Sequence, residues 1–421
     1  MPTPKIVVIG SSYSAAAVFS YLECSLTTLR EPFDLLLISD KNHYLNNNLL
    51  SQYLCGSCGL EDICQWLRGV VFLRPGVSYL EADISNIDFQ SKIVSTSKGE
   101  INYQYLILAP QNDIYAESDI DKTNNAFILK NLSDVLRLRT HILSNIEKAV
   151  VENDPEVKTS LLTFSVIGTG KSSIEFACSI SDFTSKLLKN YFPEIKKSLL
   201  KFNLIEESDL ILPRKDPFYN NRIFYNLNKR GISLYTNSRV TKIENGKILI
   251  NNKDEFNSGT IVFTALETSS SLIRKFKSCN VDLCMKLEGF DDVFMIGENA
   301  NCLDLGEGFE KTNLFYKNQA KLGAANICAK INNSSMNLLK SDLQIDFLSL
   351  GYKNSLAEIN NMHIDGFIGW LFHRLSFVFC SLSWKKKLRS FVALVGNICG
   401  FSDFEQMNVY ELRSNKEALK R

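Results

Sequence analysis

No stretch of about 20 clean apolar residues occurs in this 421-residue chain, so no ordinary membrane-spanning helix is expected. The nearest candidate, Ile364 to Trp384, is interrupted by Asp365, His373 and Arg374. An excess of one charge is also missing. Lys and Arg number 47 against 46 Asp and Glu, a formal charge of +1, which offers no bulk field for nucleic acid. A metal-site spacing is missing too. Eleven cysteines are scattered along the chain, and Cys55-x-x-Cys58 has no second pair to complete a structural site. A signal peptide is not expected, because Lys5 leads straight into an apolar strand. Together these absences predict a reducing, cytosolic compartment and free thiols at Cys55, Cys58 and Cys64.

What is present is a chain long enough for two or three domains, with 45% apolar residues to fill their cores. Two segments read as a buried strand, a glycine turn and a helix. The first is Ile6 to Ala15, with Gly10, Ser12 and Ala15 at the three small-residue positions. The second is Phe164 to Ser173, with Gly168, Gly170 and Ser173 in the same places. A dinucleotide site needs this arrangement. The strand ends in a tight turn, backbone approaches a pyrophosphate, and a helix N-terminus points its N–H groups at the anion. Glycine suits the turn because it has no Cβ. Ser12 departs from that pattern, since a Cβ there crowds the pyrophosphate.

An acidic residue at the end of the next strand accepts hydrogen bonds from a ribose. After the second turn this is Glu206, closing Phe202 to Ile205. A carboxylate there repels a 2′-phosphate and favours NADH, with NADPH left open. The interval from Gly168 to Glu206 exceeds the usual ~20 residues and predicts an inserted helix, roughly Thr184 to Leu200. After the first turn the acid is displaced: Ser39 takes the expected place and Asp40 follows. Two return strands are predicted, Tyr105 to Ala109 and Ile261 to Ala265. A third segment, Val293 to Ala300, carries Gly297-Glu298. Two nucleotide sites in one chain point to electron passage between a bound flavin and a visiting nicotinamide.

These segments resemble the pyridine-nucleotide-dependent flavoproteins, and in detail the type II (alternative) NADH:quinone oxidoreductases, of which the chain reads as a divergent member. Asn42-His43-Tyr44-Leu45, Ala126 to Leu132 and Gly351 to His373 carry further likeness. The resemblance implies an α/β fold with two Rossmann-like domains. An FAD domain would comprise 1–112 and 290–330, an NADH domain 113–289, and a membrane-facing or dimerisation segment 331–421. It implies FAD held around Gly10, Ser12, Ala15, Ser39, Asp40, Ala109, Gly297 and Glu298, and NADH at Gly168, Gly170, Ser173 and Glu206. It places Glu175 near the nicotinamide, and Tyr316 and Lys317 near the flavin and quinone; a two-residue slide offers Gln319 instead. Electrons would pass to a membrane quinone without proton pumping, on the cytoplasmic face of a bilayer, from a peripheral protein that is a monomer or a homodimer. Phe367, Trp370, Leu371, Leu375, Val378, Phe379 and Leu382, with Trp384-Lys385-Lys386-Lys387 after them, read as one broad apolar face beside a basic cluster. A sulfide:quinone-type oxidoreductase, faintly matched at Glu310-Lys311-Thr312, and a non-catalytic relative are the alternatives.

Overall fold

The structure is a computed structural model that describes residues 4–29, 32–70, 75–115, 125–168, 170–209, 212, 217–244, 246–251, 254–264, 266–268, 270–275, 279–305, 312–340, 345–360 and 362–399. The chain enters on β1 (Lys5–Ile9), α1 (Tyr13–Leu29) and β2 (Asp34–Ser39). A short antiparallel pair, β3 (His43–Leu45) and β4 (Cys64–Trp66), brackets α2 (Leu50–Leu54) and α3 (Leu60–Ile63). Strands β5 (Val77–Glu81) and β6 (Tyr105–Leu108) follow. The next unit runs β7 (Ala126–Ile128), α4 (Leu132–Val151), β8 (Thr163–Ile167), α5 (Lys171–Tyr191), β9 (Lys201–Ile205), α6 (Pro217–Lys229), β10 (Ile232–Tyr235) and β11 (Thr260–Phe263). Then come β12 (Val293–Met295) and α7 (Asn313–Ile331). The chain closes on an antiparallel meander, β13 (Ile345–Ser349), β14 (Ser355–Ile359) and β15 (Met362–Ile364), and two helices, α8 (Gly366–Cys380) and α9 (Trp384–Cys399).

Two five-stranded parallel sheets dominate. Their orders are β12-β6-β1-β2-β5 and β7-β11-β8-β9-β10; four strands follow the same order in each, while the fifth, at one edge, is the last in the chain in the first sheet and the first in the chain in the second. The apolar runs Ile6 to Ile9 and Leu106 to Leu108 are buried throughout, as parallel strands covered on both faces require. Helices α1 and α7 cover one face of the first sheet. Helix α7 lies close against the end of β12 because Gly323 has no side chain: a Cβ there would collide with Ile296. The loop between β3 and β4 behaves differently. Leu49, Leu50, Leu54 and Ile63 join the core of the second sheet, together with Leu348 and Leu356 of the meander.

The interval between Gly168 and Glu206 holds no separate inserted helix. Helix α5 continues unbroken to Tyr191 and only a short 3-10 turn, Lys197–Leu199, precedes β9. The cause is its apolar stripe: Ile180, Phe183, Leu187 and Leu188 stay against the core, so extension buries more surface than a break would. Strand β8 begins at Thr163, one residue before the segment read from the sequence, and Ala265 lies outside the described residues.

The C-terminal helices do not present one uniform apolar face. Trp370 and Val378 turn inward on α8 and Leu394 turns inward on α9. Phe367, Ile368, Phe372 and Phe379 of α8, and Trp384, Leu388, Phe391 and Val392 of α9, face out. Two polar residues of α8 also point inward. Arg374 forms an ion pair with Asp62 at 2.5 Å, with side chains 1% and 4% exposed. His373 Nδ1 accepts from Gln52 Nε2 (3.2 Å) and Ser355 Oγ (3.3 Å), and burial pushes its pKa down to about 3, so it is neutral.

Breaking the Arg374–Asp62 pair leaves a buried carboxylate without its counter-charge. Arg374→Met is therefore expected to lower unfolding stability by about 3–5 kcal/mol. Asp62→Asn added to it should recover part of that loss. Urea or guanidinium unfolding of the two variants measures both; equal stability of Arg374→Met and wild type would show that the pair is not a structural tie.

Candidate functional site

At the first entrance Gly10 has φ +142°, donates its N–H to Ile38 O at 2.9 Å, and leaves no room for a Cβ, which would strike the Ala109 carbonyl. Ser12 is a helix cap. Its hydroxyl donates to Ala109 O (2.6 Å) and accepts from Ala15 N (3.1 Å), satisfying a first-turn donor of α1. Ala15 and Ala109 are buried and supply close packing. Ser39 folds onto its own turn, donating to Lys41 O and accepting from Lys41 N. Asp40, the next residue, is exposed.

The third anchor meets this entrance. Gly297 has φ +98° and donates to Gln319 Oε1 at 3.0 Å. Glu298 Oε2 accepts from Asn112 N at 2.9 Å. Asn299 accepts from Ser270 N and donates to Pro110 O. A cleft of 400 Å³ opens here, lined by Tyr13, Ser14, Asn46, Asn112, Glu298, Asn313 and Tyr316 among others. Of the residues singled out from the sequence, Glu298 and Tyr316 line this cleft. Lys317 does not: its Nζ donates to Phe379 O (2.8 Å) at the C-terminal end of α8, beside the bond from Tyr13 OH to Cys380 O (2.8 Å). Both donors satisfy carbonyls that a helix end leaves unpaired. The polar lining from Asn46 to Asn48 and Asn313 was missed. The Asn-rich run after Leu45 was its one visible signal.

At the second entrance Gly168 has φ +145° and donates to Ile205 O at 3.1 Å, and a Cβ there would collide with Thr264. Gly170 caps α5 with φ +85°, and nothing lies within 4 Å of where its Cβ would be, so the helix N-terminus faces open space. Ser173 is buried and donates to Gly170 O at 2.8 Å. Glu206 is buried, and its Oε1 accepts from Ser208 N (3.1 Å) and Ser208 Oγ (2.7 Å). Its neighbour Glu207 is exposed and pairs with Arg239 at 3.6 Å.

Glu175 lies on α5, one turn after the residue that opens the helix. It is buried where three parts of the chain meet: Oε1 accepts from Ser349 N (2.9 Å) on β13, and Oε2 accepts from Ser51 Oγ (3.1 Å) on α2. Burial, opposed by those two bonds, pushes its pKa up to about 7. One turn earlier Lys171 bonds Asp346 at 2.5 Å, so the same meander is held twice to α5. Cys55 and Cys58 are buried free thiols at the end of α2, and burial raises the pKa of each. No cysteine lines the 400 Å³ cleft.

Two like sheets, each with a glycine turn at a strand end and a helix N-terminus above it, define a two-nucleotide α/β oxidoreductase. A family model described as pyridine nucleotide-disulphide oxidoreductase matches residues 4–341. The chain belongs to that family. It is similar to the type II NADH:quinone oxidoreductase Ndh of Mycobacterium tuberculosis, 25% identical over 396 residues, covering 87% of this chain and 82% of that protein. It is also similar to an external alternative NAD(P)H-ubiquinone oxidoreductase of Arabidopsis thaliana mitochondria, 26% identical over 323 residues, 70% of this chain. The chain spans about half the length of that relative, 54%. Among solved structures, an NDH2 of Plasmodium falciparum in complex with NADH matches with TM-score 0.77 and 17% identity, over 96% of this chain and all of that one. A sulfide:quinone oxidoreductase of Aquifex aeolicus matches with TM-score 0.70 and 15% identity, over 96% of each chain. At these identities the structures share the fold.

Glu175 makes stability depend on pH. Its folded-state pKa lies above the ordinary 4.5, so folding favours the protonated form. The stability it contributes is complete below about pH 4.5 and is lost as pH rises through 7. The difference amounts to about 3 kcal/mol. Glu175→Gln should remove it. Denaturant midpoints at pH 5 and pH 8 are expected to differ less in the variant than in wild type, and identical differences would exclude the buried carboxyl as the source.

Proposed function

We propose that the chain is a flavin-dependent oxidoreductase that passes electrons from NADH to a membrane quinone. The observation that carries this reading is the duplication of the entrance: two like sheets, one with its glycine turn beside a polar cleft, the other with an open helix N-terminus. The type II relatives supply the substrate classes. FAD fits the first entrance by the chemistry present. The Ser12 hydroxyl is folded back onto Ala109 and Ala15, away from the turn, and Glu298 presents a carboxylate to the cleft. Glu298 and Asn112 would hold the polar chain of the cofactor, and Tyr316 would flank it. A bound flavin takes two electrons from a nicotinamide and releases them to a second acceptor. At the second entrance Gly168, Gly170 and Ser173 shape the pyrophosphate turn, and Glu206 and Glu207 supply acid near the ribose.

A quinone dwells in lipid. Phe379 and Trp384, 64% and 74% exposed, flank the turn between α8 and α9, next to Lys385 and Lys387. Aromatic rings beside lysines suit a headgroup layer, and each basic residue near an anionic surface contributes about 1 kcal/mol. Among the described residues no helix is long and apolar enough to cross a membrane. The reading is therefore an interfacial attachment, with docking on the cytoplasmic face part of the proposal. The sulfide:quinone alternative needs a pair of thiols astride the flavin; among the described residues no cysteine lines the cleft and the single thiol of Cys380 borders the void beside it, and the faint match at Glu310 and Lys311 lies outside the described residues.

Purified protein is expected to absorb as a flavoprotein, and anaerobic NADH should bleach it. Gly170→Asp, whose Cβ meets no neighbour although φ +85° strains any side chain there, puts a carboxylate where the pyrophosphate would sit. It is expected to raise the NADH concentration needed for half-bleaching at least tenfold while flavin stays bound. A colourless protein would favour the non-catalytic alternative, and bleaching by sulfide but not NADH would favour the sulfide reading.

Phe379→Ser with Trp384→Ser should reduce co-sedimentation with phosphatidylglycerol-containing vesicles several-fold. It should leave reduction of the soluble acceptor hexacyanoferrate(III) unchanged. Undiminished sedimentation would move the attachment site elsewhere.

A further inference from the structure

Lys386 is a lysine in an expensive place. It lies in the first turn of α9, where the helix dipole disfavours a cation. It is half-buried, and among the described residues no carboxylate lies within ion-pair distance of it. Its Nζ donates to a neutral amide, Gln65 Oε1, at 2.7 Å, and sits 5.5 Å from the centre of the Tyr44 ring. Tyr44 OH donates to the same Gln65 oxygen at 2.7 Å. A half-buried lysine held by a neutral amide and an aromatic face, beside a cleft, is a candidate for chemistry.

The location gives that chemistry a target. Lys386 lines a void of about 20 Å³, room for about one water molecule, together with Tyr13, Asn46, Asn313 and Cys380. Tyr13, Asn46 and Asn313 also line the 400 Å³ cleft, so the void is its continuation toward the α8–α9 turn. Beyond that turn stand the exposed Phe379 and Trp384. The lysine thus lies between the cleft and the apolar surface, at the Tyr13 end.

We propose that Lys386 is the acid that protonates an oxygen of the quinone-class substrate at the Tyr13 end of the cleft. This rests on the oxidoreductase reading. Conversion of a quinone to its quinol takes up two electrons and two protons. A dihydroflavin donor delivers both electrons with one proton, as a hydride equivalent. The second proton comes from the Lys386 ammonium. The N–H bond breaks with its electron pair staying on Nζ, an O–H bond forms on the former carbonyl oxygen, and the neutral amine regains a proton from water. The side chain's four-carbon stem lets the ammonium cross the narrow void.

The groups around Lys386 set its titration. Burial lowers its pKa first, to about 8; Asp62 on α3 and Cys64 at the start of β4 act to raise it, and Arg389 on α9 lowers it further. Tyr44 and Cys380 face it as neutral groups whose own pKa values burial raises, and Asp62 is already committed to Arg374. An acid of this strength is protonated at neutral pH and gives up its proton readily.

The test uses the flavin-loaded protein, NADH, and two acceptors: a short-chain benzoquinone, which needs protons, and hexacyanoferrate(III), which takes electrons alone. Lys386→Met is expected to lower kcat for the quinone at least tenfold and leave hexacyanoferrate reduction unchanged. Wild-type quinone turnover should fall as pH rises through about 8, and that fall should vanish in Lys386→Met. Lys386→Arg, charged but too weak an acid to donate, should keep KM and lose kcat. Independently of turnover, saturating benzoquinone should protect Lys386 from acetylation by acetic anhydride. A Lys386→Met protein with the wild-type quinone rate and pH profile overturns the proposal, as does unprotected labelling. Equal loss of both acceptors with a lowered melting temperature assigns the residue to packing and overturns it too. Wild-type protein inert toward both acceptors overturns the oxidoreductase reading itself, whereas active wild type with an indifferent variant sinks the lysine alone.

Discussion

The ion pair between Asp62 and Arg374 governs how the three parts of this chain meet. One partner comes from the loop after the first sheet's second strand, the other from a helix more than 300 residues later. Both charges are almost wholly withdrawn from water. Two nitrogens of Arg374, Nε and Nη1, have no partner among the described residues, so the pair is held at a desolvation cost that only firm packing around it sustains. That packing is the shared core in which α2, α3, α5 and the C-terminal meander join. A second polar contact, Glu175 with Ser51 and Ser349, crosses the same junction a short way off. Because both contacts are buried and directional, they set register where apolar packing alone would tolerate sliding. The mouth of the cleft is built on this registered junction: Tyr13 and Lys317 reach the end of α8 only if α8 is seated on Asp62.

Much of the fold was legible in the sequence, and for identifiable reasons. Runs such as Ile6 to Ile9 and Val166-Ile167 ending on glycine are hard to place anywhere but in a buried parallel strand meeting a helix. The return strand at Tyr105 was legible because five apolar residues stand between Gln104 and the strand-ending Pro110. The roles of individual polar residues were less so. Ser12 read as a flaw in a phosphate turn, and the structure makes it a cap. Capping and anion binding use the same orphan N–H groups, and a sequence shows only that a small polar residue is there. Lys317 read as a group at the reaction centre, and it closes a helix end instead. Its partner, a backbone carbonyl 62 residues away, has no sequence signature. The apolar C-terminal stretch was misread as a single face because α8 is apolar on nearly every side, and periodicity cannot sort inward from outward in such a helix.

The two entrances, each a glycine turn between a parallel strand and a helix, differ in what surrounds them. At the first, the hydroxyl of Ser12 and the turn of Ser39 withdraw side chains from the opening, while the polar lining comes from loops distant in sequence: Asn46 to Asn48, Asn112, Glu298 and Asn313. A ligand held by so many separate segments is one that stays. At the second, the glycine-capped helix end faces open space, and the nearby acids belong to one short turn after β9. A ligand met by one turn and one helix end comes and goes. The contrast between a resident and a visitor follows from how many independent segments must move to release each.

Electron transfer to a lipid-dwelling acceptor brings a problem that neither entrance solves, which is the supply of protons at a surface meant to be apolar. The outer faces of α8 and α9 are aromatic and aliphatic, and a carboxylate there would oppose attachment to an anionic membrane. A lysine serves both needs. Its charge sits comfortably near anionic headgroups, its long stem lies along apolar neighbours, and burial alone weakens its hold on the proton toward neutrality. Of the three consecutive lysines that open α9, Lys385 and Lys387 flank the one that turns inward to Gln65 and Tyr44. Helical geometry makes that division unavoidable, since successive residues point about 100° apart. On the proposed reading, a basic run at the start of a helix packed on the cleft turns Lys386 toward Gln65 and Tyr44 and leaves Lys385 exposed, so that one short segment would serve both attachment and acid supply.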